Sequence, residues 1–237
     1  MNKMIFLLFL LFSFHTWAQE AETSVDHIAL IGIQTKTYNI EGINPDTNEK
    51  AKIKAAPINE YMLQYMWRMA SWIEFRGSYR TGRAVMKNDE DNLEDKTLVN
   101  TLTEAKGGLW LKTGRQSSFL FEFTMKDDLY FETGDTAEIY EIKTEKVSFT
   151  SVTIEQIMYG VRTQGFGFRL SADLKANGAD DIIKDRTGYG MSFFFRVEKD
   201  GSYLDVYAGG SQATKVTEEF DFKEQATFGG LNFGLTF

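Results

Sequence analysis

Leu231-Asn232-Phe233-Gly234-Leu235-Thr236-Phe237 ends the chain with a large apolar residue at every second position and a small or polar one between. A period of two is the signature of a β-strand with one apolar face, because successive side chains point to opposite sides of the pleat. The same rhythm runs backward through the sequence. Between Gly188 and Glu198, Tyr189, Met191, Phe193, Phe195 and Val197 oppose Gly190, Ser192, Phe194, Arg196 and Glu198. Gly165 to Leu174 sets Phe166, Phe168, Leu170, Ala172 and Leu174 against glycine, arginine, serine and aspartate. Phe119, Phe121, Phe123 and Met125 form one face of Ser117 to Lys126; Tyr61, Leu63, Tyr65, Trp67 and Met69 form one face of Asn59 to Met69. Apolar residues at helical spacing are rare, so the fold class is all-β.

The composition narrows the chemistry. The 237 residues carry 26 Lys+Arg against 34 Asp+Glu, a formal charge of −8. An acidic chain of this kind lacks the basic face that nucleic acid requires. With no cysteine, thiol catalysis, disulfides, thiolate metal sites and an acylated terminal cysteine are excluded. Two prolines and 20 glycines argue for an ordered chain. At the amino terminus Met1-Asn2-Lys3 is a short positive segment, Met4 to Phe14 is almost uninterrupted Leu, Phe and Ile, and Thr16-Trp17-Ala18 places small residues before Gln19. This pattern reads as a secretory signal peptide over 1–18, with one domain over 19–237. No later window approaches the roughly 20 apolar residues of a membrane-crossing helix. An exported chain of this type that enters a membrane must do so as a closed barrel, since only helices and closed barrels satisfy every backbone group in lipid.

Three features favour a barrel in lipid over a soluble sandwich. One face of each strand is large and aromatic, whereas the other mixes glycine, serine and charge. Short connections near 69–71, 114–116, 163–165 and 199–201 alternate with mostly longer polar ones, as periplasmic turns alternate with outer loops. The third is the final strand itself. Alternating Leu231, Phe233 and Leu235 ending on Phe237 resembles the assembly signal of bacterial outer-membrane β-barrel proteins, and the mature chain is similar to a small member of that porin-like class. The resemblance implies export across the inner membrane of a Gram-negative envelope and insertion by the barrel-assembly machinery. It also implies contact with outer-membrane lipid, and protein partners in an envelope complex as a further class.

The expected architecture is a single antiparallel up-and-down transmembrane β-barrel of about ten strands, with eight or twelve open. The segments are 25–37, 56–69, 71–82, 104–114, 117–131, 137–162, 165–176, 187–199, 202–211 and 226–237. Outer loops are expected at 38–55, 83–103, 132–136, 177–186 and 212–225. Trp67, Trp72, Phe166 and Phe237 then stand beside the periplasmic turns, where an interfacial aromatic girdle belongs. Segment 137–162 is about twice the roughly ten residues of a membrane-crossing strand, so it must project, bulge or divide. The first segment is the least regular, with Ile28 and Leu30 on one face and Ala29, Ile31 and Ile33 on the other.

No catalytic constellation emerges. Of the two histidines, His15 lies in the leader and His27 at the periplasmic start of the first strand, reading as an interfacial or luminal polar residue. No serine stands two residues from it, and no GxSxG elbow exists. Glu60, Glu74 and Glu122 are luminal carboxylates, but Arg68, Arg76, Lys112, Arg162, Arg169 and Arg196 supply nearby cations. Opposite charges inside a small barrel pair and fill it, and such an interior conducts poorly. The acidic run Lys87 to Asp95, and Asp180-Asp181, read as solvated outer loops, with weak divalent-cation binding as the alternative, since hard oxygen ligands can collect Ca²⁺ but the run lacks the glycine and spaced glutamate of an EF-hand loop. Gly165-x-Gly167, Gly188-x-Gly190 and Gly229-Gly230 have no following helix, so no dinucleotide site is expected. The expectation is therefore a non-enzymatic outer-membrane barrel without cofactor or metal, serving as an accessory subunit of an envelope complex or as a surface protein. A narrow solute channel is the alternative, and an outer-membrane hydrolase the third reading.

Overall fold

A computed structural model describes residues 26–88, 99–114, 116–133, 140–161, 163–178 and 182–237. The leader, segment 89–98 within the acidic run, Arg162 and Asp180-Asp181 lie outside the described residues. The strands are β1 (Asp26–Ile43), β2 (Lys50–Ala55), β3 (Ile58–Ala70), β4 (Ile73–Asn88), β5 (Val99–Lys112) and β6 (Ser117–Thr133), followed by β7 (Tyr140–Val161), β8 (Gln164–Gly178), β9 (Asp185–Lys199), β10 (Ser202–Val216) and β11 (Asp221–Thr236). Each pairs antiparallel with its neighbours, and β11 returns to β1 in unbroken register from Ile28↔Thr236 to Ile43↔Asp221, closing the wall.

β2 and β3 are one stave. Both pair with β1 on one side and β4 on the other. The stave is interrupted at Ala56-Pro57, where proline has no N–H to give the ladder, although Ala56 N–H still donates to the Val85 carbonyl at 3.1 Å. The barrel thus has ten staves, the number read from the alternation. Segment 137–162 does not divide: it is the single strand Tyr140–Val161, with register shifts at Ser148/Ser151 and Tyr159/Val161. The β9–β10 turn has Asp200 at φ 51° and Gly201 at φ 76°, the left-handed pair of a tight hairpin.

The main correction concerns loops. Most of 38–55 is strand, with β1 running to Ile43 and β2 beginning at Lys50. β10 and β11 leave only 217–220 of the expected loop 212–225, and β4 reaches Asn88. The staves outrun the membrane because the barrel has two storeys of opposite polarity. In the lower storey the outward residues are apolar: Tyr65, Leu63 and Tyr61 on β3, Phe121, Phe123 and Met125 on β6, Phe195, Phe193, Met191 and Tyr189 on β9 are all exposed. Trp67, Trp72, Phe166 and Phe237 are likewise exposed beside the periplasmic turns. At about 2.5 Å of height per tilted residue, the exposed run Tyr189–Phe195 spans about 15 Å and Phe166–Leu174 about 20 Å, approaching the roughly 25 Å apolar band of an outer-membrane barrel.

Above it the outward residues turn polar: Thr35 follows Ile33, Asn59 follows Tyr61, Asp127 follows Met125, and Thr187 follows Tyr189. The inward residues change in the opposite sense. β1 goes from Gln34 and Lys36 to Tyr38 and Ile40, β5 from Lys106 and Glu104 to Leu102, β6 from Lys126 and Asp128 to Tyr130. Tyr38, Ile40, Ile53, Ile58, Leu102, Phe131, Phe220 and Phe222 belong to one buried cluster filling the upper barrel. Where lipid lies outside, polarity belongs inside; where water lies outside, an ordinary hydrophobic core can form.

Candidate functional site

The lumen is the place to look for function, and it is occupied from the periplasmic rim upward. At the rim Glu74, fully buried, accepts from Arg68 Nε at 3.2 Å and from Arg76, with Lys112 Nζ at 3.6 Å. Arg68 also pairs with Glu198 at 2.6 Å, and the Arg76 guanidinium lies 3.4 Å from the Trp110 ring centroid. Ile28, Leu30, Met66 and Tyr203 form a small apolar cluster at the same end. Next, Glu155 is gripped by Arg169 at 2.8 Å and by both terminal nitrogens of Arg196 at 3.0 and 3.2 Å, and Asp205 accepts from Arg169 at 2.8 Å. Phe194 stacks beneath both guanidiniums. Gly167 belongs to this packing: a Cβ there would meet the Phe194 ring at 2.6 Å.

Toward the middle, Gln34 donates to Glu60 at 2.9 Å, Arg80 to Glu104 at 3.1 Å, and Lys106 lies 3.5 Å from Glu122. A cavity of about 280 Å³ remains here, lined by Lys36, Ser78, Glu122, Ser151, Tyr207 and Asn232 among others. Its roof is a charge knot above the belt. Lys215, fully buried, places its ammonium 2.7 Å from Asp128 and 2.7 Å from Glu224, and Arg186 donates to Asp128 at 2.8 Å. Burial alone would raise the Asp128 pKa, but the adjacent Lys126 and Lys215 ammoniums and the Arg186 guanidinium hold it well below the usual aspartate range.

The upper core caps the knot. The rings of Phe131 and Phe222 meet edge-on at 4.6 Å between centroids, Phe131 and Phe220 at 5.3 Å, and Phe131 lies against Gly42 where a Cβ would collide. Two segments at the upper ends of the strands contribute to this packing. Phe220 belongs to the β10–β11 turn, where its N–H bonds Thr217 Oγ1 at 3.0 Å. Ile183 stands before β9 and packs on Val147 and Phe149. Glu145, buried on β7, accepts the backbone N–H groups of Ile182 at 3.3 Å and Ile183 at 2.7 Å, pinning the residues just before β9.

Of the residues singled out from sequence, Glu60, Glu74, Glu122, Arg68, Arg76, Lys112, Arg169 and Arg196 all carry luminal ion pairs. Sequence reasoning missed Glu155, which shares the inward odd positions of β7 with both apolar and polar residues (Val147, Phe149, Ser151, Thr153 and Ile157), and the knot of Asp128, Lys215 and Glu224. Glu104 and Lys106 share the parity of Trp110 on β5, a signal that was present. His27 faces outward. Its Nδ1 lies 2.5 Å from the Tyr65 hydroxyl, and its ring stacks at 5.9 Å on Tyr65, 6.2 Å on Trp67 and 5.9 Å on Phe237. Leu231, Phe233, Leu235 and Phe237 all point outward on the closing strand, and Phe237 exchanges two backbone hydrogen bonds with His27, at 2.8 and 3.2 Å. These are the last rungs of the seam.

The closed wall, the apolar belt and the polar lower lumen constitute the architecture of an outer-membrane β-barrel. No family model and no curated protein sequence matches the chain. Solved structures with similar architecture include the outer membrane protease OmpT from Escherichia coli, at 9% identity and TM-score 0.49, covering 93% of this chain and 100% of that one. An outer membrane channel from Pseudomonas putida F1 aligns at 9% identity and TM-score 0.47 over 92% and 97%. A Pseudomonas aeruginosa FadL homologue aligns at 7% identity and TM-score 0.32 over 89% of each. At these values no residue or role of theirs can be carried onto this chain.

Proposed function

We propose that the protein is a non-enzymatic, non-conducting barrel of the outer membrane, exported by a cleaved leader, that acts as a rigid surface or accessory element of the envelope. The observation carrying this reading is the filled lumen. In the lower storey each named carboxylate is engaged by cations, and in the upper storey an apolar core stands across the path. A hydrated ion would have to break buried ion pairs, leaving uncompensated charges, and then cross that core. What the chain presents to its surroundings is therefore its wall: lipid-facing below, water-facing and stiffly supported above. A narrow solute channel is the second reading, favoured by the cavity of about 280 Å³ at mid-lumen. Planar-bilayer recording of the purified protein separates the two. Silence under voltage is the expected result, and a reproducible, ion-selective open level would overturn the non-conducting reading.

A further inference from the structure

Above the belt, the exposed cations among the described residues fall into two groups. Lys143, Lys146 and Lys184 are each paired with a carboxylate: Lys143 with Glu132, Lys146 with Asp127 at 3.5 Å, and Lys184 with Glu218 at 2.8 Å. Lys50, Lys52, Lys54, Lys223 and Arg83 are exposed and make no ion pair among the described residues. These five share one side of the barrel, on β11, β2 and β4. The register sets Lys52 and Lys223 on either side of Glu41 of β1, the one carboxylate between them. The three β2 lysines are not on a floppy loop. Alternate residues Ala51, Ile53 and Ala55 are buried in the upper core at 1%, 1% and 5% exposure, so the strand is anchored and its lysines stand in a row outward. At about 6.7 Å per two residues, the row is about 13 Å long.

Height selects the ligand. Tyr61 marks the top of the belt on the same stave, and Lys54 lies seven residues beyond it, with Lys50 eleven beyond. At about 2.5 Å per residue the row stands about 17–27 Å above the hydrocarbon edge. Phospholipid headgroups extend only about 5–8 Å beyond that edge. Arg83, four residues above Tyr79, is the lowest of the set, at about 10 Å. A ligand touching the whole series must rise along the wall and carry negative charge well above the membrane.

We infer that the Lys50–Lys52–Lys54 row, with Arg83 below and Lys223 beside it, binds the phosphorylated or carboxylated oligosaccharide head of an outer-leaflet glycolipid. This rests on the outer-membrane reading above. A protein that chose phospholipid would need its cations within the headgroup layer, whereas three of the five lie beyond it on one strand. The charge contrast is also local, because the chain as a whole is acidic at −8.

The test uses the full chain in mild detergent, titrated with purified lipopolysaccharide, with the same material stripped of phosphate, and with inorganic phosphate. K50Q/K52Q/K54Q should weaken lipopolysaccharide binding by at least about tenfold, since each lysine near an anionic surface contributes a severalfold effect. K143Q/K146Q/K184Q, with paired lysines, should leave it nearly unchanged. Both variants alter exposed side chains, and a retained heat-dependent shift in gel mobility shows that each is folded. Equal binding by the β2 variant overturns the assignment. Equal losses in both variants, or inorganic phosphate competing at the affinity of the glycolipid, would reduce the site to non-specific charge and overturn it too. Fractionation keeps the two levels apart: a chain extracted without detergent fails the outer-membrane reading, while a detergent-dependent chain whose variant binds normally fails only the lysine row.

Discussion

Phe131→Ala probes the upper storey directly. Phe131 is fully buried, its ring held between Phe222 at 4.6 Å and Phe220 at 5.3 Å and resting on the backbone at Gly42. Truncating a fully buried phenylalanine costs about 3–5 kcal/mol, and the cost is highest where neighbours cannot collapse into the gap. Here the neighbours are rings and ladder backbone on a closed wall, which places the expectation near 4 kcal/mol. The matched control is Phe123→Ala, on the lipid side of β6 and 52% exposed. Acyl chains are as apolar as the side chain they would replace, so that loss should stay within about 1–2 kcal/mol. Equilibrium unfolding in guanidinium from lipid vesicles, followed by tryptophan fluorescence, measures both. If Phe131→Ala cost less than about 1 kcal/mol, or no more than Phe123→Ala, the mouth of the barrel would not be a packed core.

Three other outcomes are expected. Glu145→Ala strips the acceptor from the Ile182 and Ile183 amides, at about 1–3 kcal/mol per unsatisfied group, and trypsin should cut faster at the neighbouring Lys184; an unchanged rate would mean that the carboxylate does not hold these residues. Deleting Phe237 removes two backbone bonds to His27 and one ring of the His27–Tyr65–Trp67 cluster, so less heat-modifiable barrel should accumulate in membranes, and normal accumulation would count against a role for the last residue in closure. Acid should loosen the knot: with the Asp128 pKa depressed in the fold, its stabilising contribution is complete above the ordinary aspartate value of about 3.9 and is lost as pH falls through the lower folded value. Unfolding midpoints measured from pH 6 down to pH 2 should therefore fall more in the wild type than in Asp128→Asn, and parallel curves would contradict that assignment.

The lower storey was legible because lipid imposes one rule on every outward position. Alternation at Tyr61–Met69, Phe119–Met125, Phe166–Leu174 and Tyr189–Val197 gives the staves and their outward faces without any structure. The upper storey was hidden by the same rule. Once the outside is water, a strand such as Lys50–Ala55 has polar residues outward and small or modest apolar ones inward, and in a list of residues it resembles a loop. β7 was hard for a different reason: its inward odd positions mix Val147, Phe149 and Ile157 with Glu145, Ser151 and Glu155, while Ile154 and Met158 face outward, so neither parity is uniformly apolar. Individual luminal charges were readable by parity, but their partners were not: Lys215 meets Asp128 across a separation of 87 residues, which no local pattern encodes.

The reversal of polarity partway up the wall also fixes depth. Strict alternation leaves a stave free to slide by two residues, because every side chain then still faces the same way. In this barrel such a slide on β6 would carry Asp128 toward the aromatic cap or draw Tyr130 down among the ions. The crossover from ions to rings thus serves each stave as a vertical index mark, so that strands far longer than the bilayer have a single register to find.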